Sequence, residues 1–419
     1  MLRRIGIVAA AFVTALTAIA AAEGYRTSVS LGSDSIPVVV VKGTPYEMGY
    51  GFGSLMKDDV VALLGSYLKL AQSQGEPRYT DASLDKAWDS VSPFIHPRFI
   101  EELHGVADGS HMPFDTVRRA HMIPVVSDYA CSGFALWGSA TKDGHLYQIR
   151  NLDYEVHAGL QDHPCIVVYS PAEGIPHVNV TFAGSIGVNT GMNAEGVTLT
   201  EIGDTPGKAY PFDLNGVHFT TLFRDILYEA NNLDEAVDMI EKAQRIKMYH
   251  YIIGDGKNKK AVKMRAFAPG LEIWHDADPD DEAAPNVLKD VVYHAEGRNP
   301  IAYAHLTANL GKYDAERMIS LSQAVPIKGG NLLDVVYDAT ALELWASYAS
   351  GEQNAYLRPY IHLKLSDYLP YDGQPKAGAV TAVAEAPKSV GAQKATAALL
   401  LLVPLGAVAA GAFWLFNRR

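Results

Sequence analysis

Apolar and aromatic residues recur at spacings of three and four through Met56, Val60, Leu63, Leu64 and Tyr67, the period of one buried helix face. The pattern predicts that residues from about 29 to 130 are helical. From Cys131 onward the texture changes to short apolar or alternating runs at 134–137, 146–149, 166–169, 177–182 and 197–200. Turn residues such as Asp143-Gly144 and Asn193-Ala194-Glu195-Gly196 separate them, as expected of antiparallel strands. Two helices follow. One carries Phe219, Leu222, Phe223, Ile226 and Leu227 on one face, and the other begins at Asn232 with Glu235 three residues on. Further strands are expected at 249–253, 261–267, 291–293, 342–348 and 360–363. Sheets, then helices, then sheets again predict an α+β layered domain, and no period of 20 to 50 residues repeats.

The two ends stand outside this pattern. Arg3-Arg4 precedes an apolar run, 5–22, that closes in small residues before Glu23, so 1–22 reads as a secretory signal. Residues 395–416 are 22 positions without a charge, between Lys394 and Arg418-Arg419, long enough to span a bilayer. The Ala-, Pro- and Gly-rich stretch 374–394 has no amphipathic period and reads as a flexible linker. The expected organisation is a helical segment 23–130, a catalytic domain 131–373, the linker, a transmembrane helix and a basic cytoplasmic tail 417–419. That topology predicts an exported, membrane-anchored protein with its folded part at the cell surface, in the periplasm or in a lumen. Asn179-Val180-Thr181 is a glycosylation sequon within that part.

Composition narrows the chemistry. With 48% hydrophobic and 20% charged residues in 419, the chain can bury a large core. Its formal charge of -12 and lack of a basic run exclude a phosphate-backbone partner, so nucleic acid is not expected. Two cysteines, Cys131 and Cys165, are too few for a disulfide scaffold or a four-thiolate zinc site. His157 with His163 and His294 with His305 lack HExxH spacing, so no metal is expected, nor any cofactor. No serine has the G-x-S-x-G flanks of a serine hydrolase. Gly43, Gly49, Gly51 and Gly53 miss the phosphate-cradling spacing and read as close packing.

The densest reactive cluster is Cys131-Ser132-Gly133-Phe134, followed after one hairpin by Gln148-Ile149-Arg150-Asn151-Leu152-Asp153-Tyr154-Glu155. A hairpin folds the end of its second strand beside the start of its first, which brings a thiol, a guanidinium and a carboxylate together. Arg150 there would favour thiolate at Cys131. Taken singly, Cys131 reads as a small buried hydrophobe and Arg150 with Asp153 as an ordinary ion pair; the combination and its order do not.

The stretch from Cys131 to Glu155 resembles the start of the mature chain in the cholylglycine hydrolase group of N-terminal-nucleophile hydrolases, with penicillin V acylase, bile salt hydrolase and acid ceramidase. Gly43-Thr44-Pro45-Tyr46-Glu47-Met48-Gly49 is similar to the branch that includes isopenicillin-N acyltransferase. Gly191-Met192-Asn193-Ala194-Glu195-Gly196-Val197 resembles the family's oxyanion loop, and Val335-Val336-Tyr337-Asp338 through Trp345 to Tyr348 its last strands. The resemblance implies a four-layer αββα sandwich, self-cleavage between Ala130 and Cys131, and two chains that stay associated. It further implies a new α-amine as base, Asp153 orienting that amine, Arg150 holding thiolate or substrate, and Asn193 stabilising the oxyanion. The amine's reference pKa of about 7.7–8.0 suits a general base near neutral pH.

Two positions depart from the family. Where a Thr-Asn pair is usual, this chain reads His294-Ala295-Glu296-Gly297-Arg298-Asn299, so Asn299 or His294 supplies the polar group or the site is incomplete. Arg317 best matches the late arginine, although its segment also reads as an exposed helix. The implied partner is a small-molecule or lipid amide, with N-acyl lipid amides such as ceramide or N-acylethanolamines ranked first. Penicillin-like or bile-salt-like amides, acyl transfer, a phospholipase B-like ester cleavage, and an anchored binding protein without activity stand as alternatives. Cys165, opening an apolar strand, is expected to be a free buried thiol.

Overall fold

The computed structural model describes residues 23–128, 130–154, 156–203, 212–268, 270–279, 286–326, 330–370 and 380–381. The expected signal and transmembrane segments lie outside these, as does nearly all of the expected linker. Among the described residues no helix is long and apolar enough to cross a membrane.

The segment expected to be helical opens instead with a hairpin, β1 (Glu23–Leu31) and β2 (Asp34–Gly43). The reason lies in the β-branched run Val38-Val39-Val40-Val41, all fully buried. Five helices then follow, α1 (Pro45–Leu55), α2 (Lys57–Ser73), α3 (Asp81–Val91), α4 (Pro97–Ser110) and α5 (Phe114–Val126). Thr44 and Glu47 form a capping box around Pro45 at the start of α1. The glycines of α1 lie against α4: a Cβ on Gly49 would stand 2.1 Å from the Glu102 carbonyl oxygen, and one on Gly105 2.2 Å from that of Tyr46. The glycine string is thus a helix-crossing device.

Beyond the junction come β3 (Ala130–Leu136), β4 (Tyr147–Asp153), β5 (Pro164–Pro171), β6 (His177–Phe182), β7 (Thr190–Asn193) and β8 (Val197–Ile202). Helices α6 (Phe219–Glu229) and α7 (Leu233–Lys242) follow, the second capped by Asn232, which accepts from the Glu235 N–H. The chain continues through β9 (Tyr249–Asp255), β10 (Lys260–Phe267), β11 (Gly270–Trp274), β12 (Val291–His294), α8 (Asn299–Asn309) and α9 (Ala315–Ala324). It closes with β13 (Leu333–Asp338), β14 (Glu343–Tyr348), β15 (Ile361–Lys364) and β16 (Val380–Thr381). The last of these, inside the expected linker, pairs with β1.

Ten strands form one sheet, in the order β11-β10-β9-β8-β7-β6-β5-β2-β1-β16, and six form the other, β12-β3-β4-β13-β14-β15. All neighbours are antiparallel except β2 and β5, so the N-terminal hairpin extends the larger sheet across a parallel seam. Buried residues of α6 and α7 pack with β8, β9 and β10. Those of α8 and α9 pack with β3, β4, β12 and β13. The two sheets face each other, with β3 and β4 against β8, and Gln148 of β4 donates to Thr200 Oγ1 at 2.9 Å across the gap. The layer order is helix, sheet, sheet, helix.

Two smaller expectations can be placed. Asn179 is fully buried in β6 and donates to the Gly187 carbonyl, so the folded chain does not offer the sequon. Cys131 and Cys165 are both free and buried.

Candidate active site

The β3–β4 hairpin sets Ala130 opposite Asp153, Cys131 opposite Leu152 and Gly133 opposite Arg150. Arg150 therefore lies diagonally across from Cys131, and its Nη2 donates to Sγ at 3.4 Å. The same nitrogen donates to Glu201 Oε2, on β8, at 3.3 Å, and all three side chains are excluded from solvent. Gly133 makes the approach of β3 to β8 possible, since a Cβ there would stand 2.6 Å from Thr200 Cγ2.

Burial pushes the Cys131 thiol up to about 12. Arg150 and the Gly203 N–H pull the other way, while the Glu201 and Asp153 carboxylates add to the rise. In the uncleaved chain the sulfur is thus a protonated thiol with cationic and N–H donors already aimed at it.

Asp153 is held from two sides. Arg298 forms an ion pair with its Oδ2, and Asn331 Nδ2 donates to Oδ1 at 3.3 Å. Arg298 also donates to the carbonyls of Cys131 and Val325, each at 2.9 Å. One guanidinium therefore fixes the Cys131 backbone and the carboxylate opposite Ala130.

Other expected site residues stand elsewhere. Asn193 ends β7, where its amide donates to the Ala230 carbonyl at 2.8 Å and its oxygen accepts from the Glu195 and Val197 N–H groups. Those bonds build the β7–β8 turn, and four residue steps of extended chain, about 13 Å, separate Val197 from Glu201. Arg317 is exposed on α9, whose start its backbone N–H joins by bonding Asp314. Asn299 accepts from the Ala295 N–H at 2.8 Å and so shapes the turn that presents Arg298. His294 pairs with Gly133 in register and stacks on His250 at 3.9 Å; it is buried, and its ring nitrogens have no hydrogen-bond partner among the described residues.

Comparison with known proteins bears on this arrangement. A family model described as acyl-coenzyme A:6-aminopenicillanic acid acyl-transferase matches residues 139–267. The protein dcd1B of Dictyostelium discoideum is 26% identical over 349 residues, covering 76% of this chain and 69% of its own. The N-acylethanolamine-hydrolyzing acid amidase of Mus musculus is 24% identical over 252 residues, covering 56% of this chain and 68% of its own. These likenesses support a relation to the N-terminal-nucleophile hydrolase group of amidases and acyltransferases. A solved Caenorhabditis elegans orthologue of that amidase aligns over 56% of this chain and all of its own at a TM-score of 0.41 and 15% identity.

Among the residues around Cys131, Arg150 and Asp153, those missed by sequence reading are Glu201, Arg298 and Asn331. Glu201 carried a faint signal, a carboxylate immediately after the alternating run Val197-Thr198-Leu199-Thr200. Arg298 sat inside the segment singled out for departing from the family, but nothing local said that it would reach Asp153, 145 positions away. Beside the hairpin a largely apolar cleft, partly open to solvent, is walled by Leu63, Leu64 and Tyr67 of α2, Pro124 of α5, and Leu152 and Phe182. Leu152 is the register partner of Cys131, so the cleft leads toward β3.

Proposed function

We propose that this protein is an autoproteolytically activated cysteine amidase, cleaving or transferring the acyl group of linear amides. The observation that carries the reading is the buried arrangement of Cys131, Arg150 and Asp153 at the start of one hairpin, with Asp153 opposite the bond to be cut. In the first step Cys131 Sγ attacks the Ala130 carbonyl carbon and the C–N bond breaks, the thiol proton passing to the departing nitrogen. Water then opens the thioester, leaving an Ala130 carboxylate and a free amine on Cys131. That amine is the base for the sulfur's attack on substrate, and Asp153 orients it. Arg150 and the Gly203 N–H stabilise the thiolate.

The apolar cleft favours an acyl group with a hydrocarbon chain, as in N-acyl lipid amides. Acyl transfer is the second reading, favoured by the match of 139–267 to an acyltransferase family model. Export and membrane anchoring through 1–22 and 395–416 complete the proposal. The test is direct: purified protein run on a denaturing gel divides into two fragments whose junction, by terminal sequencing, is Ala130/Cys131, while Cys131→Ala stays whole. A wild-type protein that hydrolyses acyl amides with an unbroken backbone through that junction would overturn the reading.

A further inference from the structure

Asp334 of β13 lies directly opposite Asn151, beside the active hairpin, and is fully buried. It sits within a chain of hydrogen-bonded side chains that begins at Asp153 and ends at Ser132, the residue after Cys131. Asn331 Nδ2 donates to Asp334 Oδ1 at 2.8 Å as well as to Asp153, and its own oxygen accepts from the Tyr356 N–H, which fixes the amide's orientation. The Tyr360 hydroxyl lies 2.9 Å from Asp334 Oδ2 and 3.0 Å from Ser322 Oγ. Ser322 Oγ donates to Asn151 Oδ1 at 2.6 Å, and Asn151 Nδ2 donates to Ser132 Oγ at 3.0 Å.

Counting protons along this chain bears on the state of Asp334. The Ser322 carbonyl faces Asn151 Nδ2, so that amide cannot be turned over, and Asn151 Oδ1 only accepts. The single hydroxyl proton of Ser322 goes to it. The Ser322–Tyr360 contact must then use the one proton of Tyr360. The Tyr360 hydroxyl is placed to donate to both Ser322 Oγ and Asp334 Oδ2 with one proton, and a carboxyl that carries its own hydrogen satisfies both contacts at once.

We propose, on the amidase reading above, that Asp334 is a neutral carboxylic acid in the working protein and a positioning residue for Asp153, acting through Asn331. Its surroundings agree. Burial, with the negative Asp153 nearby, pushes Asp334 up to about 8, against the hydrogen bonds of Asn331 and Tyr360 and the charge of Arg150. The charged groups facing it are Asp153 and Arg150 of β4, and Arg298 is committed to Asp153. A protonated Asp334 leaves Asp153 as the charged member of the two aspartates near the new amine, and it occupies one Asn331 N–H that would otherwise turn fully onto Asp153.

The test uses full-length wild type, Asp334→Ala, Asp334→Asn and Tyr360→Phe, each checked for cleavage at Ala130/Cys131 and for a cooperative melt. Rates follow release of 4-nitroaniline from an N-acyl 4-nitroanilide. In Asp334→Ala, Asn331 turns onto Asp153, which holds the amine less well. The expected result is a kcat lower by about tenfold with KM within about twofold, and an acid limb of the kcat/KM profile moved down by at least about half a pH unit. Asp334→Asn, which offers an N–H to Tyr360 and an oxygen to Asn331 as the neutral acid does, recovers most of the lost kcat and returns the limb to its place. Tyr360→Phe keeps the ring and lowers kcat at constant KM, and it carries the test alone if Asp334→Ala does not fold. An unmoved acid limb in Asp334→Ala, an Asp334→Asn as impaired as Asp334→Ala, or an unchanged kcat in Tyr360→Phe overturns the proposal while leaving the amidase reading intact. Wild type that stays uncut removes both.

Discussion

Replacing Arg298 tests whether the structure or the sequence chose the right arginine. In Arg298→Met the aliphatic stem remains, but Asp153, whose side chain is excluded from solvent, loses this cation and keeps the 3.3 Å bond from Asn331. Breaking a fully buried pair costs about 3–5 kcal/mol. Here the Arg298 side chain is 16% exposed, so its own desolvation is incomplete, and about 2–3 kcal/mol is expected, a few degrees in Tm. That is within a typical folding margin of about 5–15 kcal/mol, and the protein should still fold. Maturation should suffer more than stability. The Cys131 carbonyl loses a donor and Asp153 is no longer aimed at the Ala130–Cys131 junction, a misplacement worth about 10²-fold in rate. A time course of precursor loss on denaturing gels, beside a thermal melt, measures both effects. Arg317→Ala, altering an exposed helix residue, should stay within about 0.5 kcal/mol of wild type and mature at the same rate. Normal maturation of Arg298→Met, or arrested maturation of Arg317→Ala, would refute the assignment.

Two further outcomes follow from groups away from the thiol. Glu102 of α4 receives both bonds of a bidentate contact from Arg224 of α6, each at 2.8 Å, and both side chains are buried. Because the pair joins the segments on either side of the junction, Glu102→Gln should cost about 3–5 kcal/mol and let the two mature fragments separate at lower urea on a sizing column; equal separation midpoints would sink this idea. His121 is neutral, donating from Nδ1 to the Val117 carbonyl and accepting at Nε2 from the Ile186 N–H, and burial pushes its pKa from 6.5 down to about 4. The unfolded chain thus binds the extra proton first, so this group's stabilisation is present above about pH 6.5 and is lost as pH falls through 4, about 3 kcal/mol in all. His121→Gln should show a shallower fall in Tm over that window, and an identical slope would show that His121 does not contribute.

Much of the fold could be read from local pattern. The strand runs of the second segment fell where β3 to β6 and β8 to β10 lie, because alternation and turn residues are local properties. The N-terminal hairpin was misjudged because a helix period beginning at Met56 was extended backward over a valine run that only makes sense as a strand seated against β5. The strand β13 was legible only through family likeness, α9 only as the exposed helix around Arg317, and α8 was not anticipated; α8 carries little amphipathic contrast, with only Ala302 and Leu306 buried.

The site divides along the same line. Cys131, Arg150 and Asp153 could be found in the sequence because one hairpin joins them, and hairpin register is set by residues close in the chain. Glu201, Arg298, Asn331 and Asp334 could not, because each arrives from a different strand or turn, and only the closing of two sheets on one another fixes which side chains meet. The letters by themselves determined a thiol, a cation and a carboxylate on one turn of chain. Packing alone decided that Asn193 shapes a turn, that Arg298 meets Asp153 while Arg317 lies exposed on α9, and which protons the buried carboxyls keep, since desolvation and hydrogen-bond partners are properties of the folded interior.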